Sequence, residues 1–253
     1  MTPKTPDAGS PPAKPLHDID DVPLVRVRWP RWYRLVPSQF PPVRLFEDLG
    51  DPKDWEALAA IESLTNPRLD ASLGDLAKLA PEHRASGPGA SFLVAPFFHA
   101  SEDRPGRFHH AGQGALYVAR TFETALAEVA WHQGQFLAAT AEPPGWTGHF
   151  RTLCGKLDGE LRDVRGSVGK ALGLQGEDLE LPQTFADALR AKGERGVVYS
   201  SVRHEGGECA ALLRVDGMRG PTQTDHLRYH WNGERVDIVE RCPGMDASVI
   251  LRL

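Results

Sequence analysis

Arg107-Phe-His-His-Ala-Gly-Gln-Gly-Ala-Leu-Tyr117-Val-Ala-Arg-Thr-Phe-Glu-Thr-Ala-Leu-Ala-Glu128-Val-Ala-Trp-His132 runs from a glycine-punctuated loop through a short apolar segment into a helical pattern. Residues 114–119 are apolar and bounded by glycine signals, which suits a short buried strand. The period changes at Phe122. Phe122, Ala125, Leu126 and Val129 follow the i, i+3, i+4, i+7 rule, and Thr121 stands where an N-cap belongs. At 100° per residue, Glu128 falls about 120° from the centre of this stripe, on the flank it shares with Thr121 and His132. It borders the core and can face a cleft.

Outward from this strand–helix unit, residues 51–64 and 70–79 read as helices, the second followed by Pro81. Residues 92–98 read as a further buried strand and 184–192 as a further helix. Residues 196–202 and 209–215 read as strands joined at Gly206-Gly207. Residues 227–231 and 234–239 flank Asn232-Gly233, a strong hairpin signal. Residues 141–145 and 166–176 read as loops. Helices and strands are mixed without the alternation of a doubly wound sheet, so the fold class is α+β, a mixed sheet flanked by helices.

The chain has 253 residues, 41% hydrophobic and 25% charged, enough to bury one large core. Six of its 21 prolines fall in residues 1–25 among Lys, Asp, Gly and Ser, so this stretch reads as a disordered tail and 26–253 as one domain. A net charge of −5 argues against direct nucleic-acid binding, and no apolar run is long enough to span a membrane. Cys154, Cys209 and Cys242 are odd in number and widely spaced, which argues against a disulfide framework or structural zinc and for a reducing, cytoplasmic setting. The N-terminus has no secretory h-region. Gly112-Gln-Gly114 precedes its strand and lacks a third glycine, so no dinucleotide fingerprint is present, and neither a P-loop nor a G-x-S-x-G elbow occurs. His226 and His230, like His109-His110, are bare pairs where a metal site needs three or four converging ligands; no metal is expected.

Several blocks in order resemble the RES-domain family, named for an Arg, a Glu and a Ser: Tyr33-Arg34-Leu-Val-Pro, Thr65-Asn-Pro-Arg68-Leu, Gly87-Pro-Gly-Ala-Ser91 with Phe97-Phe-His99, the Arg107–His132 segment, Val198-Tyr-Ser-Ser201-Val-Arg203, and Gly206-Gly-Glu-Cys209-Ala. The resemblance implies a fold similar to ADP-ribosyltransferase toxins. It further implies a toxin of a bacterial toxin–antitoxin system that cleaves the nicotinamide–ribose bond of NAD, with phosphate (phosphorolysis) or water as acceptor. NAD is then the substrate, and no cofactor is implied. Residue by residue, the family's Arg looks like Arg107, its Tyr like Tyr117, its Glu like Glu128 and its Ser like Ser201, while Arg34 resembles a further arginine at the NAD site. Ser201, rather than Ser200, follows the Tyr-x-Ser-x-Arg pattern, and strand alternation puts it on the face of Tyr199. Many shorter members have an Asn where this chain has Glu208 and Cys209, so no role passes to those two. The implied partner is a helix-turn-helix antitoxin covering the cleft, in an assembly that admits a homodimer. Two alternatives stay open: an ADP-ribosyltransferase acting on a protein target, and an inactive binding module of the same fold.

Overall fold

Two long strands organise the sheet. The computed structural model describes residues 19–39, 79–176, 178–242 and 250–252. Strand β1 (Leu24–Pro37) runs antiparallel to β3 (Thr147–Asp163) from Leu24↔Arg162 to Pro37↔Phe150, with an irregularity between Trp29 and Trp32. The other edge of β3 is divided. Its residues up to Leu157 pair with β6 (Met218–Trp231), and Arg162 and Asp163 pair in parallel with β4 (Gly196–Ser200). Strand β5 (Glu208–Leu212) lies between β4 and β2 (Leu116–Ala119), and β2 returns to β1 through Tyr33↔Ala119, so β1, β2, β5, β4 and β3 close a ring. Strands β7 (Val236–Cys242) and β8 (Ile250–Arg252) extend the sheet beyond β6.

Helix α1 spans Ala90–Phe98, α2 Phe122–Ala139, α3 Ser167–Ala171 and α4 Glu180–Ala191. Residues 92–98 are therefore helical, contrary to the strand expected there. A short run that is apolar on all sides fits a buried helix as well as a buried strand, and periodicity alone does not separate them. Two close approaches favour the helix. Gly89 sits at φ 81° against Pro221, and a Cβ on Gly114 would lie 2.5 Å from Phe97 Cα. The loop expected over 166–176 likewise contains the short α3. Helix α2 starts where the sequence places it, with the Thr121 side chain accepting from Thr124 N. The Asn232-Gly233 hairpin also forms, Gly233 adopting φ 101°.

The described fold begins at Ile19, earlier than the boundary at Val25. Ile19 and Val22 are buried beside Val164, Phe185 and Leu189, and the buried Arg162 donates to Val22 O at 2.7 Å while pairing with Glu194 and Asp20. Apolar contact, rather than proline content, sets the boundary. The helix expected over 51–64, most of that over 70–79, the Thr65–Leu69 block and residues 1–18 lie outside the described residues. A chain starting at Val25 is expected to lose about 3 kcal/mol of stability relative to one starting at Asp18, from two buried aliphatic side chains. Equal melting temperatures for the two chains would contradict this anchoring.

Candidate active site

The site lies where β1, β2, α2 and the end of β4 meet. Arg34 reaches it from β1, its Nη1 donating to Tyr117 O at 3.0 Å. Burial pulls this guanidinium down to about 10, which leaves it cationic at neutral pH. Arg107 sits on a tight turn closed by the Gly106↔His109 bridge, and its Nη1 donates to Leu174 O at 2.9 Å and Gly176 O at 2.8 Å. On β2, the Tyr117 hydroxyl accepts from Phe108 N and meets His109 Nδ1, both at 2.9 Å. Burial pushes the Tyr117 phenol up to about 12, so it stays protonated.

Glu128 comes from α2, whose Ala125, Leu126 and Ala130 pack into the core with Leu227 and Trp231. That packing turns the flank of the helix towards the cavity, as the angular argument anticipates. Glu128 Oε1 accepts from Ser201 Oγ at 2.6 Å, and Oε2 lies 4.0 Å from His132 Nε2. The strand expected to run through Val202 stops at Ser200. Ser201 is instead the first residue of a turn, its N–H donating to Gly207 O and its Oγ accepting from Arg203 N at 3.1 Å and His204 N at 3.0 Å. This turn is fastened to the first turn of α2 by His204 Nδ1 and Thr124 Oγ1 at 2.9 Å, and a Cβ on Gly207 would lie 2.8 Å from that oxygen. The fastening brings the serine and the glutamate together across 73 residues of sequence. Ser200, whose Oγ accepts from Gly166 N at 3.1 Å, lines the cavity wall; Ser201 stands behind Glu128.

Arg34, Arg107, Tyr117 and Glu128 border one cavity of about 690 Å³. Among the lining residues to which the sequence alone assigns no role are Arg203 and Trp131. Arg203 lies over the Trp131 ring, its Cζ 3.4 Å from the centroid, and both side chains face the cavity. Arg203 occurs in the Tyr-x-Ser-x-Arg pattern, and Trp131 follows Glu128 by three positions, so each had a local signal; their contact had none. Among the described residues the cavity wall thus carries three guanidiniums and one carboxylate, with His132 held below its ordinary value by burial. Such a wall suits an anionic ligand with one cationic centre. Cys209 also reaches the wall, where burial pushes its thiol far up, so it stays protonated. No cluster of three or more His, Cys, Asp or Glu side chains able to hold a metal ion occurs among the described residues.

The RES domain family model matches residues 81–232. This chain belongs to the RES-domain family. An uncharacterized protein of Sinorhizobium fredii, y4oC, is 32% identical to this RES-domain protein over 209 residues, covering 82% of this chain and 86% of the relative. Among solved structures, the crystal structure of the M. tuberculosis MbcT–MbcA toxin–antitoxin complex aligns with 13% identity and a TM-score of 0.42, over 82% of this chain and 90% of that one. The RES domain contains Arg107, Tyr117, Glu128 and Ser201, whereas Arg34 enters from β1 ahead of the matched residues. No described helix is long and apolar enough to cross a membrane.

Proposed function

We propose that this RES-domain protein is a cytoplasmic toxin that destroys NAD by breaking its nicotinamide–ribose bond. The observation that carries the reading is the Glu128 carboxylate, gripped by Ser201 inside a cavity lined by Arg34, Arg107 and Arg203. Arginine forks bind the pyrophosphate by paired N–H donors, and the Tyr117 ring offers its face to the nicotinamide. As the C–N bond breaks, its electron pair moves to the nicotinamide nitrogen and neutralises the pyridinium, leaving positive charge on the ribose. Glu128 stabilises that oxocarbenium-like state by its charge and through the ribose hydroxyl. An oxygen of phosphate or water then bonds to the cationic carbon, and water loses a proton in doing so. On this reading the toxin is held inactive by a helix-turn-helix antitoxin that covers the cleft, in an assembly that admits a homodimer.

The test is product analysis. Purified protein incubated with NAD is expected to release nicotinamide, giving ADP-ribose in phosphate-free buffer or ADP-ribose 1″-phosphate when phosphate is added. Intact NAD under both conditions would refute the reading, and label appearing on an added protein target would redirect it to ADP-ribosyl transfer. Arg107→Lys is expected to weaken NAD binding about tenfold despite keeping the charge, because one ammonium cannot replace a planar fork. Calorimetry in a Glu128→Gln background reads this without turnover, and unchanged affinity would remove Arg107 from the binding site.

A further inference from the structure

Gln183, Asp187 and Arg190 stand at i, i+4 and i+7 on one face of α4, and all three reach the same short segment. Gln183 Nε2 donates to Gly106 O at 3.0 Å and to His109 O at 3.1 Å. Asp187 Oδ2 meets His110 Nε2 at 2.8 Å. Arg190 Nη2 donates to Phe108 O at 3.1 Å and Gly114 O at 3.2 Å. From the opposite side Tyr117 takes Phe108 N and His109 Nδ1. The carbonyls of Gly106 and His109, which enclose Arg107 and Phe108, are therefore held by one side chain from a helix whose other face, through Phe185, Ala186 and Leu189, is locked in the core with Phe108 and Ala115.

Gln183 itself is 7% exposed. A glutamine on a helix is ordinarily a solvated surface residue, and burying an amide is unfavourable unless both of its hydrogens find acceptors. Here one nitrogen serves two carbonyls that bracket Arg107 and Phe108, and the turn they define is tight enough that a Cβ on Gly106 would lie 2.1 Å from His109 Cε1. Both carbonyls also take part in the Gly106↔His109 backbone bridge, so without Gln183 the turn keeps that pairing but loses the donor that ties it to α4, and the Gly106–Arg107 peptide plane is freer to rotate. A guanidinium fork recognises a pyrophosphate only when its base is fixed.

We propose that Gln183 is a positioning residue for substrate binding: it acts through the 106–109 turn to aim Arg107 and touches no ligand. The inference rests on the reading of Arg107 as the group that holds the NAD pyrophosphate. Gln183→Met keeps the length and volume of the side chain and removes both donors; Gln183→Glu keeps its shape and leaves one donor at most, the O–H of the protonated acid. Each is combined with Arg107→Ala in a double-mutant cycle on the Glu128→Gln background, with NAD affinity read by calorimetry. The expected result is about a tenfold loss of affinity from Gln183→Met where Arg107 is present, and less than about twofold where it is already alanine. With Glu128 intact, the same variant is expected to raise KM and leave kcat within about twofold. Without ligand, amide exchange at Phe108 and His109 is expected to quicken, whereas Thr184→Ala, on the exposed side of α4, changes neither readout.

Equal losses in the two arginine backgrounds would make Gln183 a general stabiliser and overturn the proposal, as would wild-type affinity together with wild-type exchange. If the Glu128→Gln parent binds no NAD, the functional reading falls on its own. The exchange rates at Phe108 and His109 then decide whether Gln183 fixes the turn.

Discussion

Glu128→Gln is expected to keep the fold and to lower NAD cleavage by about 10²-fold or more, the scale typical of removing one preorganised electrostatic group. The two side chains have the same shape, and the amide can still accept from Ser201 Oγ through its carbonyl oxygen, so the 2.6 Å contact survives. On the proposed reading, what disappears is the negative charge that faces the ribose as nicotinamide leaves. The carboxylate is the one negative group of the cavity wall among the described residues, set against Arg34, Arg107 and Arg203, so no neighbour can substitute for it. The expected signature is a lower kcat with KM for NAD little changed, since the proposed reading assigns ground-state binding to the arginines. Nicotinamide release by the folded variant within threefold of wild type would show that the charge is not what drives the reaction. Lost folding is not expected, because the side chain of Glu128 is partly exposed and its helix is held by Ala125, Leu126 and Ala130.

The elements that were legible in the sequence are those whose causes are local. Helix α2 announces itself by a capping threonine and an apolar stripe, and the β6–β7 hairpin by Asn232-Gly233; both form where the residues place them. Strand β3 carries no comparable signal. It is buried along much of both faces, Arg151 and Thr152 included, and it serves β1, β4 and β6 at once, so its alternation is lost. The helix over Ala90–Phe98 shows the reverse ambiguity, an apolar run whose period is erased by burial on all sides.

The site follows the same rule. The position of Glu128 on the flank of its helix is a matter of angle along one element and is readable there. Its partners are not. Ser201 meets it because the turn after β4 is fastened to Thr124, and Arg203 lies on Trp131 across 72 positions, contacts that exist only once the ring of strands has closed. The described fold starts ahead of Val25 for a related reason. Proline density near the N-terminus says nothing about whether Ile19 and Val22 find a hydrophobic pocket beside α4, and they do.

Ser201→Ala and Ser200→Ala are expected to separate a positioning serine from a wall serine. Ser201 Oγ does three things in one place: it donates to Glu128 Oε1 and accepts from the amides of Arg203 and His204. A hydrogen bond to a charged group contributes about 1.5–3 kcal/mol, so its loss alone corresponds to roughly a tenfold to hundredfold effect if the carboxylate must be held in one orientation. The freed carboxylate can swing towards His132 Nε2, now 4.0 Å away, which draws it from the ribose. The two released amides also loosen the backbone of Arg203, which already spans the cavity over Trp131. The expected result is therefore a fall in kcat of at least about tenfold, with a cost in stability of about 1 kcal/mol as water takes up the exposed amides. Ser200 accepts a single hydrogen bond, from Gly166 N at an exposed position, and its alanine variant is expected to retain at least about a third of wild-type activity, the usual consequence of losing one solvated partner. A larger loss from Ser200→Ala than from Ser201→Ala would mean that the wall, not the clamp on Glu128, limits the reaction. Two equal and small losses would leave Glu128 held by its helix alone.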